Sequence, residues 1–116
     1  GAAFCRTTAD IWSAPGGPLI YPVAVGAAAR AMHLPLAETL ALYLHGFASN
    51  LTSAAMRLVP LGQTEGQSAL AALARVCTDV AAAARSQTID DLGSSCFLGD
   101  IAAMKHETQY SRLFRS

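Results

Sequence analysis

The sequence has few charged and few aromatic side chains. Charged residues make up 14% of the 116 positions and aromatic residues 7%, against about 25% charged residues in typical soluble domains. The formal net charge is zero, so no overall field attracts nucleic acid or an anionic membrane surface. Hydrophobic residues reach 53%, and many of them are alanine. This composition predicts helices that pack closely against other helices.

Cysteine is too scarce and too scattered to organise the fold. Cys5, Cys77 and Cys96 provide neither a disulfide framework nor a CxxC metal motif, which is typical of a protein from a reducing cytoplasm. The charge-free run between Glu38 and Arg57 contains several polar residues, so it does not predict a membrane span. The sequence begins with GAAFCRTT and has no signal-peptide layout. We expect a fragment of a longer cytoplasmic protein.

The apolar spacing predicts an all-α fold, a helical bundle. Apolar residues recur at steps of three and four from Leu36 to Leu58, and no alternating strand pattern competes with them. Pro22 and Pro35 suit the first turns of two helices, and the second of these should stop or kink at Pro60.

The remaining segments are shorter. A third helix should follow the Gly-Gln turn and end at SQTIDDLGSS, residues 86–95. Asp100 could cap a last helix from Ile101 toward His106. Residues 1–20 contain SAPGGP and are predicted to form a loop or broken connection. We expect a single domain over residues 1–116, with residues 100–116 as a C-terminal tail.

Polar residues recur along one side of the long second helix. His45, Ser49, Ser53 and Arg57 follow at four-residue steps and therefore share a face. They could line a channel or a ligand site. They could equally be ordinary residues that face solvent or form hydrogen bonds between helices, and the pattern alone favours this second interpretation.

The motifs of catalysis and nucleotide binding are missing. The segment RLVPLGQTEGQ, residues 57–67, lacks the lysine of a phosphate-binding loop and predicts a helix break. His106 and Glu107 do not form HExxH, because position 110 is Tyr. No GxSxG elbow is present, and His33 and His45 have no metal-site spacing to His106. These features do not favour an enzyme.

The C-terminal segment MKHETQYSRLFRS carries aromatic and apolar residues that we expect to bind another protein. Tyr110, Leu113 and Phe114 stand beside Arg112 and Arg115, and apolar or aromatic side chains next to arginine are what an interface needs. The tail is therefore interpreted as a docking element for another protein.

Two ordered stretches resemble the family of the urease accessory protein UreF. They are YLHGFASNLTSAAMRLVPLGQTEGQ, residues 43–67, and DIAAMKHETQYSRLFRS, residues 100–116. YPVAVGAAARAMHLPL, residues 21–36, and DDLGSS, residues 90–95, fit the same family. The resemblance runs from about Tyr21 to the end and covers the C-terminal half of the family. Family members carry a further N-terminal half with a Gly/Ser-rich stretch and more helices.

The resemblance implies a non-catalytic, all-α maturation factor. Such proteins bind UreD (also called UreH), recruit the GTPase UreG and dock on apo-urease, where GTP-dependent insertion of nickel follows. Nickel would be handled in transit and not held permanently, and a homodimer could form within the complex. The alternative is a stand-alone nickel-binding protein that uses its scattered His and Cys residues.

The resemblance also implies roles for particular residues. The tail residues expected to contact partners are Lys105, His106, Glu107, Tyr110, Arg112, Leu113, Phe114 and Arg115. The residues expected to shape a surface that faces UreG or UreD are Arg57, Gly62, Gln63 and Gln67. The residues that could line a nickel path are His45, Ser49 and Ser53.

Overall fold

The computed structural model describes residues 1–14 and 16–110. It divides the chain into two compact units, Gly1–Ser86 and Gln87–Ser116, and each is described by itself. The described residues form helices and no strand, so the predicted all-α class is confirmed. None of the described helices is both long and apolar enough to cross a membrane. The single domain over residues 1–116 stays a prediction.

The first unit opens with a helix where the sequence predicted a loop. Helix α1 spans Ala2–Trp12, so the loop expected over residues 1–20 is wrong for its first part. The segment AAFCRTTADIW contains no glycine or proline to interrupt a helix. The chain leaves the helix at Ser13, which has a φ of 52° in the left-handed region. The turn-forming SAPGGP therefore acts only on the residues that follow the helix.

Helix α2 spans Tyr21–Ala31 and carries Pro22 in its first turn, as predicted. Proline is tolerated there because its missing N–H has no partner within the helix. The buried positions of this helix are alanines, Ala24, Ala28 and Ala29. Small side chains let the backbones of α1 and α2, which pack on each other, approach closely.

Two long helices form the largest contact of the first unit. Helix α3 spans Leu36–Leu58 and α4 spans Gln63–Ala84. They pack along each other, and because the connection over residues 59–62 is short, they run antiparallel. Pro35 lies at the start of α3 and Pro60 lies just past its end, so both predicted boundaries are confirmed.

The fully buried residues of α3 and α4 have small side chains. They are Ala48 and Thr52 on α3, and Gly66 and Ala81 on α4. The hydroxyl of Thr52 donates to the carbonyl of Ala48 at 2.9 Å, so this buried polar group is satisfied within its own helix. Several large apolar residues of α3 remain open to solvent, and Leu36, Phe47, Leu51 and Leu58 are each more than half exposed.

The second unit contains a 3₁₀ turn at Ile89–Asp91 and helix α5 at Phe97–Glu107. The helix begins four residues before the predicted Ile101, and Asp100 lies within its first turn rather than capping it. A carboxylate stabilises a helix N-terminus from the first turn as well as from the cap. The side chain of Asp100 accepts a hydrogen bond from the Ser94 hydroxyl at 2.7 Å. No residue of α5 is buried.

Candidate partner-binding surfaces

The turn between α3 and α4 is built by local backbone chemistry. Pro60 follows the last turn of α3, and Val59 is already extended, with φ −128° and ψ 158°. Gly62 then precedes the first turn of α4 in an extended conformation. Its N–H donates to the Glu65 carboxylate at 2.8 Å, and its carbonyl accepts from the N–H of Gly66 at 2.9 Å. Glu65 thus satisfies a backbone donor at the start of the helix and holds the turn in one geometry.

The four residues that the sequence assigns to this surface flank that turn. Arg57 lies in the last turn of α3, while Gly62, Gln63 and Gln67 lie at the start of α4, and all four are exposed. The two amide side chains can donate and accept hydrogen bonds from outside, and a guanidinium can only donate them. The sequence prediction did not include Glu65. Its position three residues after Gly62 was the available signal, since an acidic residue at that spacing is typical of a helix start.

Helices α3 and α4 approach each other closely next to this turn. Gly66 is buried against Met56 of α3, and a Cβ at position 66 would lie 2.9 Å from Met56 Cγ and collide with its Sδ. A side chain larger than hydrogen at this position therefore requires Met56 to move. The turn therefore lies next to a close helix contact that a side chain at position 66 would alter.

The polar row on α3 lies next to its buried residues. His45 is exposed, whereas Ser49 and Ser53 are half-buried. Each serine directly follows a buried residue, Ala48 or Thr52. The row therefore runs beside the buried side of α3. A single helix carries all three residues, as the four-residue spacing predicts.

Metal ligands do not assemble in the described part of the chain. Within residues 1–14 and 16–110, no group of three or more His, Cys, Asp or Glu residues is placed to hold a metal ion. This finding gives the stand-alone nickel-binding hypothesis no support.

The described part of the tail belongs to α5 and the residues just after it. Lys105, His106 and Glu107 form the last turn of the helix and are exposed. Cationic side chains at this end are favourable because the helix C-terminus carries partial negative charge. Tyr110 is fully exposed, at 105% of its reference area. The remaining tail residues of the prediction, Arg112, Leu113, Phe114 and Arg115, lie outside the described residues.

Helix α5 also presents an apolar face. Phe97, Ile101 and Met104 follow at steps of four and three, and are exposed by 73%, 44% and 62%. Residues at such steps lie on one side of a helix. The second unit therefore offers apolar surface together with the cationic Lys105 at the end of the helix, a combination that suits binding to another protein.

One carboxyl group of the second unit has a shifted pKa. The Asp91 carboxylate accepts from the N–H of Thr88 at 2.7 Å and from its hydroxyl at 2.9 Å. These two hydrogen bonds lower the pKa of Asp91 below its ordinary value, and the bond from the backbone N–H has the larger effect. The pair closes the 3₁₀ turn that leads toward α5, so its role is to shape the chain.

Comparison with known proteins identifies the family. The family model named UreF matches residues 1–74. A urease accessory protein UreF from Roseobacter denitrificans is 58% identical over 116 residues, which cover all of this chain and 52% of that relative. The Ruegeria pomeroyi protein of the same name is 53% identical over the same length, covering 54% of that relative. The Rhodopseudomonas palustris protein is 48% identical over 125 residues, covering 52% of its length.

The likeness extends over the whole chain but not over the whole of the relatives. The chain spans about half the length of the curated relatives that it matches. The family model covers more than half of the chain, and the all-α class agrees with the expectation from the sequence. The chain belongs to the UreF family.

Proposed function

We propose that this chain is part of a urease maturation factor. It acts without catalysis of its own, as a cytoplasmic scaffold that works with UreD (UreH) and the GTPase UreG. Together they support GTP-dependent insertion of nickel into apo-urease, with nickel passing through and not permanently bound. The observation that carries the proposal is the 58% identity, over the full length of this chain, to a protein named urease accessory protein UreF.

The exposed surfaces of the chain support a binding role. The α3–α4 turn presents Arg57, Gln63 and Gln67 to solvent, and α5 presents apolar and cationic side chains. In this proposal the tail anchors a partner through Tyr110 and the residues after it, and the turn contributes to the surface facing UreG or UreD. A second copy of the protein could also join the complex as a homodimer.

The proposed nickel path follows the polar row of α3. His45, Ser49 and Ser53 offer an imidazole and two hydroxyls on one side of α3, next to its buried residues. Weak, transient ligands of this kind suit a metal that must leave again. The path would be used only in the assembled complex.

The experiment that tests the scaffold role is co-purification. The complete protein that contains this chain is produced with UreD and UreG, with and without residues 105–116. We expect a ternary complex that the deletion abolishes. An Ile89→Ala variant is the matched control, because Ile89 is 81% exposed in the same unit but outside the tail. Equal complex formation by the deleted and the complete protein would remove the tail from the proposal.

Point variants separate anchoring from charge. Tyr110→Ala and Phe114→Ala should weaken partner binding by about 2 kcal/mol or more, since aromatic anchors dominate interface energies. Lys105→Ala should cost less, because an exposed charge at an interface contributes little. Titration of each variant against the purified partner measures the difference. Equal losses in all three variants would instead indicate attraction between charges.

The nickel path is tested separately from assembly. Ser49→Leu places a bulky apolar side chain on the polar row and should lower the amount of nickel delivered to apo-urease, while the ternary complex still forms. Ser68→Leu is the control, since Ser68 is exposed on α4 away from the row. Unchanged nickel delivery by the Ser49→Leu protein would place the path elsewhere.

A further inference from the structure

An open apolar groove lies between α3 and the pair formed by α1 and α2. Its volume is about 740 Å³, and all its lining residues belong to the first unit. Five aromatic side chains contribute to its lining, and three of their rings lie next to one another. The rings of Phe4 and Tyr21 meet edge to face with centroids 5.4 Å apart, and Tyr21 and Tyr43 lie 6.0 Å apart. One ring comes from each of the three helices, so the helices are joined along the groove.

The shape of the groove suits a helix. On α3 the lining runs from Pro35 to Leu51, which at 1.5 Å per residue is about 24 Å. The lining positions recur at steps of three and four, including Leu42, Gly46 and Asn50. Glu38 is the one charged residue among the lining residues. A long groove with so little charge favours an apolar helix face over a charged or compact ligand.

The groove holds large side chains that a folded domain normally buries. Trp12, Leu42, Phe47 and Leu51 are exposed by 50%, 72%, 57% and 57%. Among the described residues, the buried apolar side chains are only cysteine and alanine. Covering side chains of leucine or phenylalanine size removes apolar surface from water and is favourable. A contiguous surface of this kind therefore marks an interface.

The remaining part of the same polypeptide is the best candidate to cover the groove. The chain spans 52% of the Roseobacter denitrificans relative and 54% of the Ruegeria pomeroyi relative, so nearly half of each relative is available to cover the groove. A segment in the same polypeptide also acts at a high effective concentration, which a separate partner lacks.

We infer that the groove seats an amphipathic helix from the part of the UreF polypeptide that this chain does not span. Its apolar residues, at steps of three and four, pack between Trp12 and Leu51, and a basic residue near one end faces Glu38. The groove is then an internal contact of the complete protein and not a binding site for an outside ligand. This inference concerns assembly of the polypeptide and holds whatever the assembled protein delivers.

Trp12 provides a direct test, because it is the single tryptophan of the chain and lines the groove. The chain is titrated with the remaining portion of the Roseobacter denitrificans protein, carrying phenylalanine in place of any tryptophan. Trp12 fluorescence should shift to shorter wavelength and saturate. Leu42→Lys should weaken this binding about tenfold or more, since it brings a charge into an apolar contact. Val76→Lys is the matched control, as Val76 is 52% exposed on α4 outside the groove.

The outcomes divide clearly. Saturable binding that is lost in Leu42→Lys and kept in Val76→Lys supports the inference. A fluorescence shift that depends only on the concentration of this chain would mean that a second copy covers the groove, and would overturn it. Equal effects of the two substitutions would also overturn it. In the complete polypeptide, Leu42→Lys should lower the melting temperature clearly more than Val76→Lys, and equal melting temperatures would contradict the inference.

Discussion

The contact between Gly66 and Met56 predicts that Gly66→Ala changes the free energy of unfolding in opposite directions with and without the Met56 side chain. Gly66→Ala adds a methyl group that would lie 2.9 Å from Met56 Cγ and collide with Met56 Sδ. We expect the substitution to destabilise the chain. In a Met56→Ala background the same substitution should stabilise it, because the obstacle has gone.

The magnitude follows from two opposing effects. Alanine in a helix interior is favoured over glycine by about 0.5–1 kcal/mol. Overpacking a tight contact costs about 1–3 kcal/mol, of which about 0.5–1.5 kcal/mol would be a displaced Met56 rotamer. The net loss for Gly66→Ala is therefore between about 0 and 2.5 kcal/mol. Without the Met56 side chain, only the gain of about 0.5–1 kcal/mol remains.

Urea unfolding followed by circular dichroism, on the four proteins of the double-mutant cycle, measures these free energies. Gly26→Ala is the matched control, since Gly26 lies in α2 and a Cβ there would meet nothing within 4 Å. It should stabilise both backgrounds equally. The reasoning is refuted if Gly66→Ala changes the free energy of unfolding by the same amount in both backgrounds, within the scatter of about 0.5 kcal/mol expected for independent sites.

Three further predictions concern local hydrogen bonds and exposed surface. Glu65→Ala removes the acceptor of the Gly62 N–H and should lower the free energy of unfolding by about 0.5–2 kcal/mol, with faster hydrogen exchange at Gly62. Glu65→Gln should retain most of the protection, and equal exchange in both variants would contradict the capping role. The pKa of Asp91 is lowered in the folded chain, so its contribution to the 3₁₀ turn is present at neutral pH and lost as the pH falls through that lowered pKa. The Thr88 amide resonance should therefore titrate in acid, and a titration that persists in Asp91→Asn would argue against this pair. Leu98→Ser, at a position 84% exposed on α5, should change the free energy of unfolding by less than about 0.5 kcal/mol, and a larger loss in urea unfolding would show that this face is covered within the chain.

The helix boundaries that the sequence predicted well are those set by proline. Pro22, Pro35 and Pro60 act on their own backbone, so their effect does not depend on what the rest of the chain does. The prediction for α1 was wrong because the glycines and prolines of residues 13–18 indicate a loop only where they stand. They do not disfavour a helix in the segment before them. Asp100 is favourable both at a cap and in a first turn, so the sequence alone did not fix where α5 begins.

The candidate surfaces follow the same division. The turn itself could be predicted because the helix-breaking residues around Pro60 are close in sequence, whereas its role as a partner-facing surface comes from the resemblance to the UreF family and stays a prediction. Glu65 acts through a hydrogen bond to Gly62, and only the structure shows that it holds the turn. In the proposed function the partners of Tyr110 and of the polar row are separate molecules, so neither the sequence pattern nor the structure of this chain contains the contact that would define their role.

The apolar stripe of α3 shows why periodicity cannot say what covers a face. The spacing from Leu36 to Leu58 predicts an apolar side, but the fully buried residues of α3 are the small ones, Ala48 and Thr52. Close helix approach selects small side chains, so the large ones remain for a different neighbour. The low charge content has the same cause, since a surface that is covered in the complete protein needs few charges to stay soluble. Composition, exposure and the length of the relatives thus lead to one expectation, that this chain provides one side of an interface completed by the rest of its polypeptide.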